Sequence, residues 1–387
     1  MKKAFCHDRI VIQWGAEKVF YDLICGYDHP EDQTTIFVLF SNLTQLQIWD
    51  KTYPIVTALP IRFFRCIDRF RIHHIPLLSS LIDYRNLMVI FPRLVHRISR
   101  KLATYWPQQL VVSSFAVIKN ITIPWSVESS MLYMHSPCMY VHNHYQANLD
   151  KMPLVLKPLY RRISHRIRIW DQDTDHYHQI YANSQYTADL VHQIYHLQAQ
   201  IQYPQIDPIL AHTIMPLDID LYPRLYKPPY MLMIGRLVRF ARKCDTVIKL
   251  CNELNIHLIV MWTGPDEQYL KSIAWPTIHF IWHIHNIADK ISWIGRAQWL
   301  INLTLESFGI ATAECLALGI PVWGNQEGAT AELVTDQSGI LVDTNDSDKM
   351  KTSLIQFAHT QRNRQIIREQ FMAHYMLQSS HTLSKVQ

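Results

Sequence analysis

Short apolar runs alternate along most of the chain with segments whose apolar residues recur every three or four positions. Runs of this length are typical of strands buried on both faces, and the intervening periodicity is typical of amphipathic helices. This alternation predicts parallel sheets flanked by helices. The predicted strands are 4–8, 34–40, 109–114, 130–135 and 179–184 in the first half, and 231–236, 257–262, 278–282, 299–304, 320–324 and 339–343 in the second.

One stretch between these two groups of strands breaks the pattern. Residues 204–229 are rich in proline and poor in periodicity, which indicates a linker. We therefore predict an α/β protein with two Rossmann-like, doubly wound domains facing a cleft, and ligands at the carboxyl ends of the strands. The predicted parts are residues 1–207, residues 208–360 and a helical segment, 361–387, that packs back toward the N-terminal domain.

Composition narrows the class of protein. The hydrophobic fraction of 49% and the charged fraction of 18% are ordinary for a globular protein. No run of 18 apolar residues is free of charge, and the first ten residues lack the apolar core of a signal peptide, so we expect a cytoplasmic protein that does not span the membrane. The seven cysteines occur singly, without a C-x-x-C pair. This pattern fits a reducing compartment and gives no zinc signature.

The net charge of +5 is concentrated in two stretches, Ile61–His74 and Leu159–Trp170. Both interleave basic and large apolar residues, as does a helix lying on an anionic membrane surface. A solvated helix face that covers core residues explains the same pattern equally well. Nucleic acid is a weaker explanation, because the sequence has no recognised nucleic-acid-binding motif.

The segment 305–334 holds the strongest candidate chemistry. Glu306 and Glu314 are separated by seven residues, and the intervening Ser-Phe-Gly-Ile predicts a turn whose N–H groups open a helix. Such a turn can hold an anionic or hydroxyl-rich ligand while a carboxylate accepts hydrogen bonds from sugar hydroxyls. Gly319 then ends the helix before a buried strand.

This segment resembles glycosyltransferase family four, retaining enzymes with the GT-B fold, and in particular its bacterial mannosyltransferase-like members. The family motif E-x(7)-E, followed by G-x-P-V and G-G-x-x-E, is matched here by Glu306, Phe308, Gly309, Ile310, Glu314, Gly319, Pro321, Val322, Gly328 and Glu332. The resemblance implies that Glu314 binds the ribose and that Glu306, with the backbone of 308–310, binds the sugar.

Other segments extend the likeness over nearly the whole chain. Residues 233–245 are similar to the family's G-R-L…K-x-x-D, so Arg236 and either Arg242 or Lys243 would hold the donor diphosphate and stabilise the leaving group. MHSPCMY resembles H-(S/T)-P-x-(Q/R)-Y, which implies that His135 lies near the donor sugar with Tyr140 close by. Met139 replaces the family's Gln or Arg.

Other interpretations compete at these positions. A lone histidine that ends a buried strand is more often a core residue. The run His142, His144, Tyr145 suggests a metal only weakly, because no carboxylate or cysteine accompanies it. The pairs Asp171/Asp173 and Asp218/Asp220 mimic the manganese-binding D-x-D of a different glycosyltransferase fold, and we interpret both as surface carboxylates. We expect no metal and no cofactor.

Tryptophan occupies several positions at which the family has glycine. The family writes the turn before the first helix as G-G-x-E, and this chain has Trp14-Gly15 there; Trp262, Trp282, Trp275 and, less clearly, Trp299 repeat the pattern. The chain has 10 glycines, against roughly 27 at average usage, and 11 tryptophans. Three explanations compete: a tolerated Trp14, an inactive relative, or UGA codons that the organism reads as glycine. Our hypothesis is the third.

The predicted function is that of a retaining, metal-independent glycosyltransferase. It would move a sugar such as mannose from a nucleotide-diphosphate sugar to a lipid-linked or cell-surface polysaccharide acceptor. The first domain would supply the turn at Gly15, His135 and the acceptor surface, and the basic helices would hold the enzyme peripherally on the inner face of the cell membrane. The alternatives are a nucleotide-sugar epimerase of the same fold and a catalytically inactive nucleotide-sugar-binding subunit.

Overall fold

The computed structural model describes residues 1–11, 15–59, 88–142, 145–150, 152, 154–172, 174, 176–212, 229–281, 284, 286–358, 360 and 362–379. The chain forms two compact units, one from Met1 to Gln202 and one that begins at Tyr203. Several sequence predictions fall outside the described residues. These are the basic segment 61–74, Trp14, His144, Asp173, Asp218, Asp220 and Trp282.

The first unit is built on a largely parallel sheet. Its strands are β1 (Lys2–Ile10), β2 (Gln33–Ser41), β3 (Gln45–Ile48), β4 (Lys51–Thr57), β5 (Gln109–Ser114), β6 (Ser129–Met134), β7 (Gln179–Ala182) and β8 (Gln200–Ile201). They lie in the order β3-β4-β2-β1-β5-β6-β7-β8. Only the β3–β4 pair, among the described strands, is antiparallel. The order changes direction at β1, and β1 and β5 are the central neighbours.

Helices connect these parallel strands. They are α1 (Gly15–Tyr27), α2 (Phe91–Tyr105), α3 (Tyr145–Asp150), α4 (Lys157–Asp171) and α5 (Gln185–Tyr195), with 3-10 turns at Ile118–Asn120 and Leu154–Leu156. Helix α2 packs an apolar stripe of Leu94, Ile98 and Leu102 into the core, which is the spacing of one helix face. Helix α5 begins where the Ser184 hydroxyl accepts a hydrogen bond from the N–H of Thr187.

The second unit repeats the architecture. Its strands are β9 (Met231–Ile234), β10 (Leu258–Met261), β11 (Ile278–Ile281), β12 (Trp299–Asn302), β13 (Val322–Asn325) and β14 (Gly339–Val342), in the parallel order β11-β10-β9-β12-β13-β14. The order reverses between β9 and β12, where a doubly wound sheet binds its ligands.

The helices of the second unit cover its sheet. They are α6 (Pro208–His212), α7 (Arg239–Arg242), α8 (Cys244–Glu253), α9 (Glu267–Ile273), α10 (Ile287–Arg296), α11 (Ile310–Ala317), α12 (Thr330–Leu333), α13 (Ser347–Ala358) and α14 (Arg364–Ser379). The last helix is tied to this unit by Arg364, whose guanidinium donates to the carbonyls of Gly295 (2.6 Å) and Ala297 (2.8 Å). Arg368 likewise donates to the carbonyl of Ala317.

The predicted fold class is confirmed: the chain is an α/β protein with two doubly wound parallel sheets. Each of the eleven predicted strands coincides with an observed strand to within a few residues. The strands β3, β4 and β8 were not predicted. In the part of the chain that is described, no helix is both long and apolar enough to cross a membrane.

Candidate active site

The candidate site of the second unit lies at the carboxyl ends of β9 and β12. The guanidinium of Arg242, the last residue of α7, reaches back over the turn that follows β9, and its Nη1 lies 3.0 Å from Oε1 of Glu306. Gly235 makes this approach possible. It has a φ of +147°, and a Cβ at this position would lie 2.6 Å from Nη1 of Arg242. The sequence therefore folds so that a cation and a carboxylate meet directly above the central strands.

The backbone around Glu306 is held by the segment that follows β13. The carbonyl of Glu306 accepts a hydrogen bond from the N–H of Ala329 at 2.9 Å. Gly328 has a φ of +81°, and a Cβ there would lie 2.7 Å from the Glu306 carbonyl oxygen. The two motif segments recognised in the sequence, around 306 and around 328, are thus in direct contact. This contact orients the loop that carries the Glu306 carboxylate.

The turn 307–309 leads into α11 as the sequence predicts. Phe308 is buried, and its ring centroid lies 5.0 Å from that of Tyr203, so its side chain anchors the turn. Asn302, the last residue of β12, accepts from the N–H of Thr304 and donates to Oγ1 of Thr312 at 3.0 Å. The turn is therefore fixed at both ends.

Glu314 is 4% exposed and is paired with a residue that the sequence did not indicate. Its Oε2 lies 2.5 Å from Nζ of Lys290, which belongs to α10. The charge of this nearly buried carboxylate is thereby compensated. No local signal could have identified Lys290, because it lies 24 positions before Glu314, on the preceding helix.

Arg242 and Lys243 make different contacts in this structure. Arg242 contacts Glu306, whereas Lys243 has a φ of 49° and its Nζ donates to the carbonyl oxygen and the hydroxyl of Thr344. Burial lowers the pKa of Lys243, although the nearby Glu327 and Asp343 act in the opposite direction. Arg236 is partly buried and directly follows Gly235. Arg242 is thus the cation brought to the candidate carboxylate, and Lys243 lies beside the loop after β14.

In the first unit, His135 lies directly after β6 and is 7% exposed. Its Nε2 lies 2.7 Å from Oγ of Ser113, and the same Oγ lies 3.0 Å from Nδ1 of His7. The three side chains come from the carboxyl ends of β6, β5 and β1. Burial lowers the pKa of His135 to about 3, so its ring is neutral at physiological pH. The sequence pointed to His135 alone; His7 and Ser113 were missed.

An aspartate organises the turn beside this cluster. The carboxylate of Asp8, on β1, accepts hydrogen bonds of 2.8–2.9 Å from the N–H groups of four consecutive residues, 115 to 118. Burial raises the pKa of Asp8 despite these four donors.

Two other predicted positions of the first unit can be located. Gly15 opens α1 as predicted, and Glu17 in the first turn of this helix is buried, with its Oε1 3.9 Å from Nε of Arg9. Tyr140, predicted to lie near the donor, is buried and accepts from the Tyr160 hydroxyl through its carbonyl.

The interpretation of Asp171 as a surface carboxylate was wrong. Its side chain is inaccessible and lies 3.1 Å from Nζ of Lys119 and 3.2 Å from Nε2 of His142, while it accepts from the Tyr195 hydroxyl at 2.7 Å. Burial by itself would raise the pKa of Asp171, but the charge of Lys119 and the hydrogen bonds lower it overall. Asp171 therefore closes a buried ion-pair network. Among the described residues, no group of three His, Cys, Asp or Glu side chains has a metal-binding arrangement.

The match to a known protein family lies in the second unit. Residues 223–371 match the family model of glycosyl transferases group 1. This range contains Arg236, Arg242, Lys243, Glu306 and Glu314, so the glycosyltransferase assignment expected from the sequence is supported where the candidate site lies. A search of the curated proteins found no sequence match.

Solved structures resemble the whole chain. Anabaena HepE in complex with UDP and glucose has a TM-score of 0.62 and 14% identity, with 99% of each chain covered. The lipopolysaccharide outer core galactosyltransferase WaaB has a TM-score of 0.59 and 14% identity, covering 99% of this chain and 98% of its own. The sucrose-phosphate synthase of Thermosynechococcus elongatus has a TM-score of 0.64 and 11% identity, covering 99% and 94%. At these identities the likeness establishes the fold, that of GT-B glycosyltransferases.

Proposed function

We propose that the protein is a retaining, metal-independent glycosyltransferase that uses a nucleotide-diphosphate sugar as donor. The observation that carries the proposal is the Arg242–Glu306 pair over Gly235, at the carboxyl ends of β9 and β12, within the segment that matches the glycosyltransferase family. A guanidinium neutralises diphosphate charge, and a carboxylate accepts from sugar hydroxyls. The pair thus offers both functions at one point.

In the proposed reaction the donor would occupy the second unit. Arg236 and Arg242 would stabilise the charge that develops on the leaving diphosphate, and Glu306 with the backbone of 308–310 would orient the sugar. Glu314 would accept from the ribose, with Lys290 paired to its carboxylate. Lys243 would contribute positive potential from its position beside the loop after β14. Transfer on the face of the departing phosphate, which gives retention, follows from the resemblance to family four.

We propose a UDP-sugar as the first donor to test, because the structurally similar HepE was solved with UDP and glucose. GDP-mannose is the second donor to test, because MHSPCMY resembles the segment found in mannosyltransferase-like members of the family. The acceptor would be a lipid-linked or cell-surface polysaccharide. The measurement is donor turnover with and without acceptor extracts over a panel of nucleotide sugars. An epimerase would convert the donor without acceptor, and an inactive binding subunit would bind the donor without converting it.

The site is tested by Glu306→Gln and Arg236→Ala. Each should lower kcat/KM by about 100-fold or more, the effect of removing one preorganised charge-stabilising group, without lowering the thermal midpoint. Lys271→Ala is the matched control, because its pair with Glu267 is an exposed i,i+4 contact on α9. Wild-type activity in both site variants would refute the site.

A surface of the first unit supports the proposal of peripheral membrane binding. The 3-10 turn Leu154–Leu156 exposes Leu154 (82%) and Val155 (84%), and Leu159 on α4 is 56% exposed. The adjacent Arg161 and Arg162 are also exposed. Large apolar side chains beside arginines fit the interface of an anionic bilayer, where the chains insert and the cations meet headgroups.

Vesicle sedimentation tests this proposal. The protein should bind vesicles that contain anionic lipid and not purely zwitterionic ones, and binding should fall as salt rises. Leu154→Ser/Val155→Ser should abolish binding, while Ile355→Ser, which changes an exposed apolar residue of the second unit, should leave it unchanged. If the double serine variant bound the vesicles as well as the wild type does, the proposal would be contradicted.

A further inference from the structure

The hydrogen bonds of the His7–Ser113–His135 cluster determine where each proton lies. Nδ1 of His7 is 2.9 Å from the carbonyl oxygen of Ser113, which can only accept. The hydrogen of His7 therefore sits on Nδ1, and it also reaches Oγ of Ser113 at 3.0 Å. The Ser113 hydroxyl is fully buried, so its own hydrogen needs an acceptor. Among the described residues that acceptor is Nε2 of His135, at 2.7 Å.

A neutral His135 whose Nε2 accepts a hydrogen bond must carry its hydrogen on Nδ1. No described residue bonds to this Nδ1. The ring also contacts Tyr133, at 5.0 Å between centroids, and His7, at 6.1 Å, which limits its rotation. The cluster thus offers one N–H donor in a fixed direction at the carboxyl edge of the first sheet.

We propose that His7 and Ser113 are positioning residues that lock His135 in its Nδ1–H tautomer, so that it offers one neutral N–H donor to an uncharged oxygen group of a ligand bound at the carboxyl edge of the first sheet. The role of the ligand rests on the proposed function; the tautomer does not. A neutral donor suits an uncharged hydroxyl better than an imidazolium would, because an imidazolium favours an anion.

Nitrogen NMR of the histidine-labelled full chain tests the tautomer without any substrate. In the wild type, the His135 signals should show a protonated Nδ1 and an unprotonated Nε2. Ser113→Ala removes the hydrogen bond to Nε2, so the Nε2–H form should become populated. Ser113→Thr, which keeps a hydroxyl, should restore the wild-type pattern. Ser114→Ala is the matched control on the same strand, because its hydroxyl donates to Asp8.

A protonated Nε2 in the wild type, or an unchanged tautomer in Ser113→Ala, overturns the proposal. If the protein transfers sugar, Ser113→Ala should also lower kcat/KM by about tenfold, the value of one well-placed hydrogen bond, and Ser113→Thr should recover it. Because the NMR result needs no turnover, a protein that proves inactive would refute the proposed function and leave the tautomer decided on its own.

A second, independent inference concerns the tryptophans. Among the described non-glycine residues with positive φ are Trp49 (φ 50°), Trp106 (φ 61°) and Trp262 (φ 128°). Bulky side chains rarely adopt this backbone region, which glycine enters without cost. Trp106 ends α2 as a left-handed cap and precedes proline, the usual place of glycine. Trp49 is the first residue of the two-residue loop between β3 and β4, where favoured turns need a positive φ.

Other tryptophans behave as true core residues. Trp323 is fully buried and its Nε1 donates to Oγ of Ser353 at 3.0 Å; Trp299 is buried with its ring 5.2 Å from that of Phe357. Trp299 is therefore removed from the group suspected in the sequence. By contrast, Trp49 and Trp106 are 81% and 45% exposed. Trp275 is also exposed, but its φ is not positive.

We infer that positions 49, 106 and 262 are glycine in the protein made by its own cell, through UGA codons read there as glycine. The gene should have UGA at these three positions and UGG at 299 and 323. Peptide masses of the protein from its own cell should show glycine at 49, 106 and 262. UGG, or a tryptophan mass, at the three positions overturns the inference.

Stability provides a second measurement on the recombinant chain. Trp106→Gly and Trp262→Gly should each raise the thermal midpoint by about 2–4 °C, because glycine relieves the strained backbone. Trp299→Gly and Trp323→Gly are the matched controls and should lower it, because they remove packed side chains. A fall in all four variants contradicts the inference.

Discussion

At the residue scale, the candidate site combines side chains that the sequence could indicate with partners that it could not. Glu306, Glu314 and His135 stand in recognisable motifs, because their local turns and strands carry a sequence signature. The partners of Glu314 and His135, Lys290 and Ser113, lie 24 and 22 positions away and are brought in by the fold. The sequence named Arg242 but did not show that it contacts Glu306, 64 positions away. Asp171 was misread for the same reason: nothing near it in sequence shows that Lys119 is buried against it.

The two buried histidines predict a loss of stability in acid. The pKa of His135 is lowered to about 3, and that of His7 is also lowered, in both cases chiefly by burial. The unfolded chain binds these protons near pH 6.5 and the folded chain does not, so the free energy of unfolding falls as pH drops below about 6.5. Each histidine contributes at most about 1.4 kcal/mol per pH unit.

Denaturant unfolding between pH 7 and 5 measures this effect. In His135→Gln the decline with falling pH should be shallower than in the wild type, by up to about 1.4 kcal/mol per unit. Parallel curves for the two proteins would mean that His135 binds its proton in the folded state.

At the element scale, the sequence pattern was sufficient for the strands with an apolar centre and insufficient for β3, β4 and β8. Strand β9 is a continuous apolar run and β5 has an apolar centre, because both faces of these strands are covered. The hairpin β3–β4 mixes polar and apolar residues around a two-residue loop, and that loop contains Trp49 where a turn residue would have marked it. Strand β8 has only two residues.

The junction of the 118–120 turn, α4 and α5 depends on one ion pair. Nζ of Lys119 also donates to the carbonyl of Asp171 at 2.6 Å and lies 4.1 Å from the ring centroid of Tyr195. Lys119→Met and Asp171→Asn should each lower the free energy of unfolding by about 3–5 kcal/mol, because each leaves a buried charge without its partner. The double variant should lose less than the sum.

A double-mutant cycle on the surface pair Lys271–Glu267 is the matched control for this prediction. Its members lie on α9 with side chains 44% and 19% exposed, so breaking it should cost about 0.5 kcal/mol or less. If breaking either pair lowered the free energy of unfolding by a similar amount, burial would not be the reason for the larger loss predicted at Lys119–Asp171. Chemical denaturation of the six variants and the wild type is the measurement.

At the scale of the whole molecule, two sheets of the same class carry different edge chemistry. The second unit presents Arg236, Arg242 and Lys243 near its carboxyl edge, whereas the first presents the neutral His135 cluster. The doubly wound class of both sheets follows from the alternation of strands and helices. Their detailed strand order did not follow from the sequence, because pairing between distant strands leaves no local pattern.

This difference predicts that a nucleotide binds to the second unit. UDP at 100 times its dissociation constant should raise the free energy of unfolding of the unit it binds by about 2.7 kcal/mol. In hydrogen exchange, residues 235–242 and 304–314 should gain protection, with less change in β1 and β5 of the first unit. Protection confined to the first unit would place the nucleotide elsewhere than proposed. The Arg242→Ala variant should lose the effect at the same UDP concentration.

The carboxylate of Asp8 has a consequence for the kind of molecule that each sheet can receive. Runs of backbone N–H groups at the end of a parallel strand ordinarily form a receptor for an external anion. In the first unit the chain fills that receptor with its own side chain, since Asp8 takes the four N–H groups of 115–118. These four N–H groups are therefore satisfied within the chain and are not available to an external anion.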